Sequence, residues 1–354
     1  MKKYLALALV AAFLAGGCGS GSNTADNTAG GTSTTTTGDN TAKPKVLKIV
    51  MIAKSQSNPV FPVSDMGAQA AAVELSKSTG VNITVDWETP ANEDAQEQAN
   101  RITEGVNNGA GAILISCSDA AKVKGAIDDA VKKGVPVMTF DSDCPGSQRF
   151  CYYGTDDIDC GHEVMDNLAT VLGGKGSVAI LAGNQNAPNL QRRVKAVEDE
   201  AKKYPGIKIV TVANHVETPQ DATAKVQSVM NAYPQINGWA MIGGWPLFAK
   251  GLLSMDPTKV KCVAVDALPA ELEYVDKGIA PVLLAQPIYN WGYVSVHMIV
   301  DKVINHKDVP VMNKMDLVKV TKANLGDWAR QLQKWGMTGI DPKFLAMPPA
   351  KTTP

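Results

Sequence analysis

From Val46 onward, short apolar runs alternate with amphipathic stretches of helical period, and this alternation limits the fold more than any other feature of the chain. Val46 to Ala53 reads as a buried strand. Ser64 to Ser78 reads as a helix with Ala68, Ala71, Ala72 and Leu75 on one face. Strand Val81 to Trp87 follows, then helix Asn92 to Asn107 with Asn92 as its N-cap. Ala112 to Ser116 is a strand and Asp119 to Lys133 a helix stopped by Gly134. Val135 to Phe140 is a strand with Pro136 at its start or on an edge. The pattern restarts after Tyr153. Its helices are Asp159 to Leu172, Leu190 to Tyr204, Ala222 to Ala232, Leu247 to Met255, Leu268 to Lys277 and Trp291 to Asn305. Its strands are Gly176 to Ala182, Ile207 to Ala213, Gly238 to Ile242, Val260 to Val265 and Val282 to Ala285. Alternation at this spacing makes βαβ units and parallel sheets. Two successive sets predict an α/β fold of two doubly wound lobes. Parallel sheets hold ligands at the carboxyl ends of their strands, so two such lobes can enclose a cleft.

The N-terminus does not belong to this pattern. Met1-Lys2-Lys3, an apolar run from Leu5 to Leu14 and the small residues Ala15-Gly16-Gly17 make a secretory signal. The run falls short of the ~20 residues of a membrane span. Cys18 follows directly, and the arrangement resembles the lipobox of bacterial lipoproteins, with Ala15 where leucine is usual. The resemblance implies cleavage before Cys18, acylation of Cys18 and a membrane anchor, each buried methylene contributing about 0.8 kcal/mol. Gly19 to Lys45 is nearly all Gly, Ser, Thr, Asn, Ala and Asp. It cannot bury enough apolar surface to offset the entropy of ordering, and reads as a tether reaching about 30 Å. The expected location is extracytoplasmic: lipid-anchored at the cell membrane or in the periplasm.

Other classes are disfavoured. A net charge of −1 gives no nucleic-acid footprint. His162, His215, His297 and His306 show no metal-type spacing to the cysteines. No nucleophile elbow or phosphate-cradling loop is present. The chain therefore reads as a non-enzyme, with no cofactor or metal expected. Export permits disulfides. Cys144 and Cys151 flank a loop containing Pro145-Gly146 and are either bridged or both free, with Cys160 a rival partner. Cys117 and Cys262 read as small core residues.

Several segments, in order, carry a resemblance. They are Ser57-Asn58-Pro59-Val60-Phe61, the small-residue stretch Met66 to Ala72, Val137 to Asp143, Gly154-Thr155-Asp156-Asp157, Asn189-Leu190-Gln191-Arg192-Arg193, Val263 to Asp266, and Leu284 to Pro287. Together they resemble the periplasmic sugar-binding proteins of the ribose/galactose-binding type, the capture components of ABC importers. The resemblance spans nearly all of 46–325. It implies a type I periplasmic binding protein, with three crossings between lobes. The first lobe takes 46–155 and 287–315, and the second takes 156–286 and 316–345. Residues 346–354 form a tail. The implied partners are a sugar and an ABC permease, the protein acting as a monomer.

Site candidates follow from position and chemistry. Carboxylates accept hydrogen bonds from vicinal hydroxyls, an arginine fork donates several in one plane, and an aromatic ring covers a sugar's C–H face. Asp141 and Asp266 end strands in the two lobes. Gln286 ends a third strand, near a crossing. Asn58 and Phe61 follow the first strand, and the resemblance places Arg193 in the pocket. Asn189 and Trp245 are secondary candidates. Departures from ribose binders bear on the ligand. Ser142-Asp143 stands where an arginine is usual, Gly243-Gly244-Trp245 replaces an Asn-Asp pair, and a polar residue between Glu217 and Asp221 replaces an aromatic. Lys54, Ser142 and Asp143 also resemble positions in binders of the furanosyl signal autoinducer-2. A receptor for such a signal, or a sensor feeding a membrane signalling protein, is the alternative reading. Leu325 to Gly336 is an amphipathic helix whose Trp328, Leu332 and Trp335 are expected to face a lobe. The chain from Pro342 onward is expected to be loosely ordered.

Overall fold

A computed structural model describes residues 45–350. The signal, Cys18, the tether up to residue 44 and residues 351–354 lie outside the described residues.

Two six-stranded sheets form the frame. The first holds β1 (Val46–Ile52), β2 (Asn82–Trp87), β3 (Ala112–Ile115), β4 (Val137–Phe140), β5 (Cys151–Thr155) and, from far along the chain, β11 (Met312–Met315). The second holds β6 (Lys175–Gly183), β7 (Gly206–Asn214), β8 (Gly238–Met241), β9 (Lys261–Val265), β10 (Val282–Ala285) and β12 (Val318–Val320). Their orders are β2-β1-β3-β4-β5-β11 and β7-β6-β8-β9-β10-β12, the same winding twice. All pairings are parallel except β10 with β12. The chain crosses between sheets after β5, after β10 and after β11, as the resemblance implied.

Helices cover both faces of each sheet: α1 (Val60–Thr79), α2 (Ala95–Asn107), α3 (Ala120–Lys132), α4 (Asp157–Val171), α5 (Pro188–Ala201), α6 (Pro219–Ala232), α7 (Leu272–Asp276) and α8 (Tyr289–Val303). Strands buried on both faces read as continuous apolar runs, and β3, β4, β8 and β10 are buried at every residue. The α1–α8 crossing explains two glycines. A Cβ on Gly67 would stand 2.0 Å from the Tyr289 carbonyl oxygen, and one on Gly292 would stand 1.9 Å from that of Ser64. The backbones themselves touch there.

Three expectations are corrected, and the open alternative at Cys144 and Cys151 is resolved. Helix α2 starts at Ala95, capped by Asp94 rather than Asn92, because the Asp94 carboxylate accepts from the N–H groups of Gln96 (2.7 Å) and Glu97 (3.0 Å). Leu247 to Met255 is not a helix. One 3₁₀ turn, Trp245–Phe248, is followed by turns, and the Tyr274 hydroxyl accepts from the Leu252 N–H (3.3 Å). Cys144 and Cys151 are not bridged to each other: they lie on opposite faces of the first sheet, in the clusters under α2–α3 and α1–α8 respectively. The C-terminal part is also ordered beyond Pro342. Helix α9 (Leu325–Lys334) lays Trp328 and Leu332 on the second lobe, and α10 (Pro342–Leu345) buries Phe344 beside them. Arg330 donates to the carbonyls of Leu345 (3.1 Å) and Met347 (2.7 Å), which fixes the segment.

Candidate functional site

The carboxyl ends of both sheets face one narrow space, and the segments after the strands line it. From the first lobe come Lys54 and Asn58 after β1, Phe61 in the first turn of α1, and Asp141 after β4. From the second come Asn189 and Arg193 on α5, Glu217 after β7, Trp245 after β8, Asp266 after β9 and Gln286 after β10. None of these is more than 5% exposed.

Asp141 and Asp266 share a backbone device. Each follows the fourth strand of its lobe, and each has a left-handed backbone, with φ of 54° and 78°. That conformation costs a non-glycine residue about 1–3 kcal/mol unless its surroundings impose it. Here they do. Asp141 donates its N–H to the Tyr153 carbonyl (3.1 Å), and the Tyr152 hydroxyl donates to the Asp141 carbonyl (2.9 Å). Asp266 donates its N–H to the Leu284 carbonyl (2.9 Å). Aspartate tolerates this region better than most residues, which explains the choice of side chain at both turns.

Two polar networks meet in the cavity. In one, Ser116 donates to Asp141 (2.7 Å), and Asn189 reaches across from the second lobe to Asp141 (3.2 Å). Lys54 reaches back across to Asn189 and Glu217, and Asn58 to Glu217, each at 3.4 Å. In the other, the Gln286 carbonyl oxygen accepts from Arg193 (2.8 Å) and from Thr155 (2.8 Å), while its amide donates to Asp266 (2.8 Å). Arg193 is held by Asp157 behind it (3.0 Å). The cross-cleft bonds around Lys54 are long against the roughly 2.7–3.2 Å usual for N–H···O. The lobes are closed on each other, and the volume open to water centres between them is about 20 Å³, enough for about one water. Aromatic rings close two sides: Phe61 stacks on Trp291 at 6.2 Å, and Trp245 meets His215 edge-on at 4.8 Å.

Burial dominates the electrostatics. It pushes the Asp141 carboxyl up to about 6, against the pull of Lys54 and Arg193. It raises Asp266 too, against the Gln286 hydrogen bond and Arg193. Burial works against the Lys54 charge, but Glu217, Glu93 and Asp141 outweigh it and lift Lys54 to about 12. Glu93, at the cleft mouth, accepts from Asn184 of the other lobe (2.9 Å). Burial and then Glu217 push it up to about 7.

A carboxyl raised in the folded state contributes stability that is fully present below its unfolded value and is lost as pH rises through the folded value. For Glu93 that window runs from its ordinary 4.5 to about 7. Glu93→Gln keeps an acceptor for Asn184 and removes the titration. Its melting temperature relative to wild type is expected to climb between about pH 5 and pH 8. Calorimetry across that range checks it, and a pH-independent difference would contradict the assignment.

Nine sequence candidates thus meet at one cavity: Lys54, Asn58, Phe61, Asp141, Asn189, Arg193, Trp245, Asp266 and Gln286. Ser142 and Asp143 do not join them. The left-handed turn at Asp141 sends the next residues away. The Ser142 carbonyl accepts from the Cys117 N–H (3.0 Å), and Asp143 pairs with Arg149 (2.6 Å) and Thr139 (2.6 Å). Sequence reasoning missed Trp291 and left Glu217 only as one end of a polar stretch. Glu217 follows a strand end, which is a usable signal. Trp291 lies in an apolar helix and reads as core.

Comparisons with known proteins agree with this architecture. Residues 49–307 match the model of a periplasmic binding protein domain. A xylitol-binding protein of Mycolicibacterium smegmatis is 27% identical over 44% of this chain and 45% of its own length. The chain thus spans about half the length of that curated relative. A solute-binding protein of an ABC transporter from Burkholderia graminis, solved in complex with D-arabinose, is 26% identical with a TM-score of 0.73, covering 79% of this chain and 97% of that one. GanP, a glucose-galactose binding protein from Geobacillus stearothermophilus, is 27% identical with a TM-score of 0.72, covering 80% and 99%. With two lobes of identical winding, three crossings and a match over most of its length, the chain belongs to the periplasmic binding protein family and is built like its sugar-binding members of the ribose/galactose type.

Proposed function

We propose that this chain is an extracytoplasmic solute-binding lipoprotein, held at a membrane by acylated Cys18, that captures a monosaccharide or similar polyhydroxylated ligand and delivers it to an ABC permease. The moving units are 46–155 with 287–315, and 156–286 with 316–345. The observation that carries the reading is the pair Asp141 and Asp266: buried carboxylates, one per lobe, both on left-handed turns and both lining one cavity. Carboxylates on either side of a cleft, with an arginine, an asparagine and a glutamine between them, suit a molecule carrying hydroxyls on several sides. Phe61, Trp291 and Trp245 offer apolar faces to its C–H groups.

Ligand entry requires the lobes to part. The long bonds of Lys54 and Asn58 to Asn189 and Glu217 are then exchanged for bonds to ligand hydroxyls, and the lobes close around it by hinge rotation. Relatives whose names give xylitol, D-arabinose and glucose or galactose as ligands support a small polyol or sugar here. On this reading the ligand is released unchanged, in keeping with the substrate-binding role of the family.

A thermal-shift screen of residues 45–350 against pentoses, hexoses, deoxy sugars, polyols and the furanosyl signal tests the reading. A ligand at about 100 times its Kd should stabilise by roughly 2.7 kcal/mol. A shift with one carbohydrate, recovered intact from the protein, is the expected result. A shift with the furanosyl signal alone moves the reading to a signal receptor, and silence across the panel rejects the sugar pocket.

A further inference from the structure

We propose that Cys117 and Cys144 form a disulfide in the exported protein, clamping together the two turns that present Ser116 and Asp141 to the cavity. Both residues are fully buried, in the same cluster beneath α2 and α3. Cys117 follows β3 and Cys144 follows β4, strands that pair directly. The Cys117 N–H donates to the Ser142 carbonyl (3.0 Å), so the two turns are already joined through the backbone beside the thiols. Cys144 Sγ lies 3.4 Å from the carbonyl oxygen of Ala120, the first residue of α3 and only three positions beyond Cys117. Adjacency in sequence points to Cys151 instead, but that thiol lies on the opposite face, 3.1 Å from Asn313 Nδ2 and 3.9 Å from Met298 Sδ. Cys160 and Cys262 belong to the core of the second lobe.

The export implied by family membership supplies the oxidising setting in which such bonds persist. Burial sets the timing. Oxidation occurs during folding, before α3 covers the pair. Cys144 is written as the attacking thiolate; exchanging the roles of the two thiols leaves the product the same. Cys144 attacks a disulfide of an oxidant, either a thiol–disulfide oxidoreductase or a small-molecule disulfide, and expels one of its sulfurs as a thiolate. Cys117 then displaces the second sulfur from Cys144. Two protein thiols lose two protons and two electrons, and the oxidant's disulfide becomes two thiols.

The test uses the full chain, exported to an oxidising compartment and extracted in mild detergent. Free thiols are alkylated under denaturing conditions without reductant, and the digest is read by mass spectrometry. The expected result is one cross-linked peptide pair bearing Cys117 and Cys144, lighter by two hydrogens than the separate peptides, with label on Cys151, Cys160 and Cys262. Label on both Cys117 and Cys144, or a bond from either to another cysteine, overturns the proposal. Reduction should lower the melting temperature of the wild type by roughly 5 °C and leave the C117A/C144A protein unmoved. A wild type indifferent to reductant overturns the clamp. Neither readout depends on the sugar reading.

Discussion

The Asp141→Asn protein is expected to bind its ligand roughly 100-fold more weakly, or worse, while melting at the same temperature as the wild type at neutral pH, or higher. Two effects separate here. A hydrogen bond to a charged acceptor is worth about 1.5–3 kcal/mol, and every 1.4 kcal/mol is about tenfold in affinity. Loss of one or two ligand bonds to the carboxylate therefore costs about two decades. Stability moves the other way because burial raises the Asp141 carboxyl to about 6. Keeping it ionised at neutral pH is a cost that the amide escapes. Asparagine tolerates the left-handed turn and retains an acceptor for Ser116. Titration calorimetry and thermal denaturation of the same sample read both. Lost affinity together with a fallen melting temperature would make Asp141 a structural residue.

The second large effect is at Arg193. It is 2% exposed and donates to Asp157 (3.0 Å), the Ile242 carbonyl (3.2 Å) and Gln286 (2.8 Å). Arg193→Met removes a buried charge whose partner stays behind, a change that costs about 3–5 kcal/mol where nothing else pairs with that partner. Arg192 still holds the other Asp157 oxygen (2.6 Å), so about 3 kcal/mol is the expected loss, together with loss of ligand binding. The neighbouring Arg192→Met is the control. Its side chain is 36% exposed, and it should cost about 1 kcal/mol or less. Denaturant unfolding of the two variants separates them. Equal losses would contradict the roles given to the two arginines.

The alternation was legible because β3, β4, β8 and β10 are buried on both faces and so read as unbroken apolar runs. The strands missed have no such signature. β11 is Met-Asn-Lys-Met and β12 is Val-Lys-Val. Each is a strand because it pairs with β5 or β10 after a crossing, and nothing local to it encodes that. β5 was hidden by its cysteine, glycine and threonine. Strand-end position and polar chemistry found Asp141, Asp266 and Gln286. The resemblance to binders of the furanosyl signal brought in Ser142 and Asp143, which lie outside the cavity, since sequence does not show that the backbone reverses at Asp141 or that Arg149 claims Asp143. Trp291 stayed hidden because an aromatic at the start of an apolar helix belongs to the core far more often than to a site.

Calorimetric titration of residues 45–350 with the carbohydrate that gives the largest thermal shift decides whether the ligand sits between the two aspartates. The expected result is one saturable site per chain, weakened at least about 100-fold by Asp141→Asn in one lobe and equally by Asp266→Asn in the other. Binding that survives either substitution unchanged would mean that the ligand does not lie between the lobes.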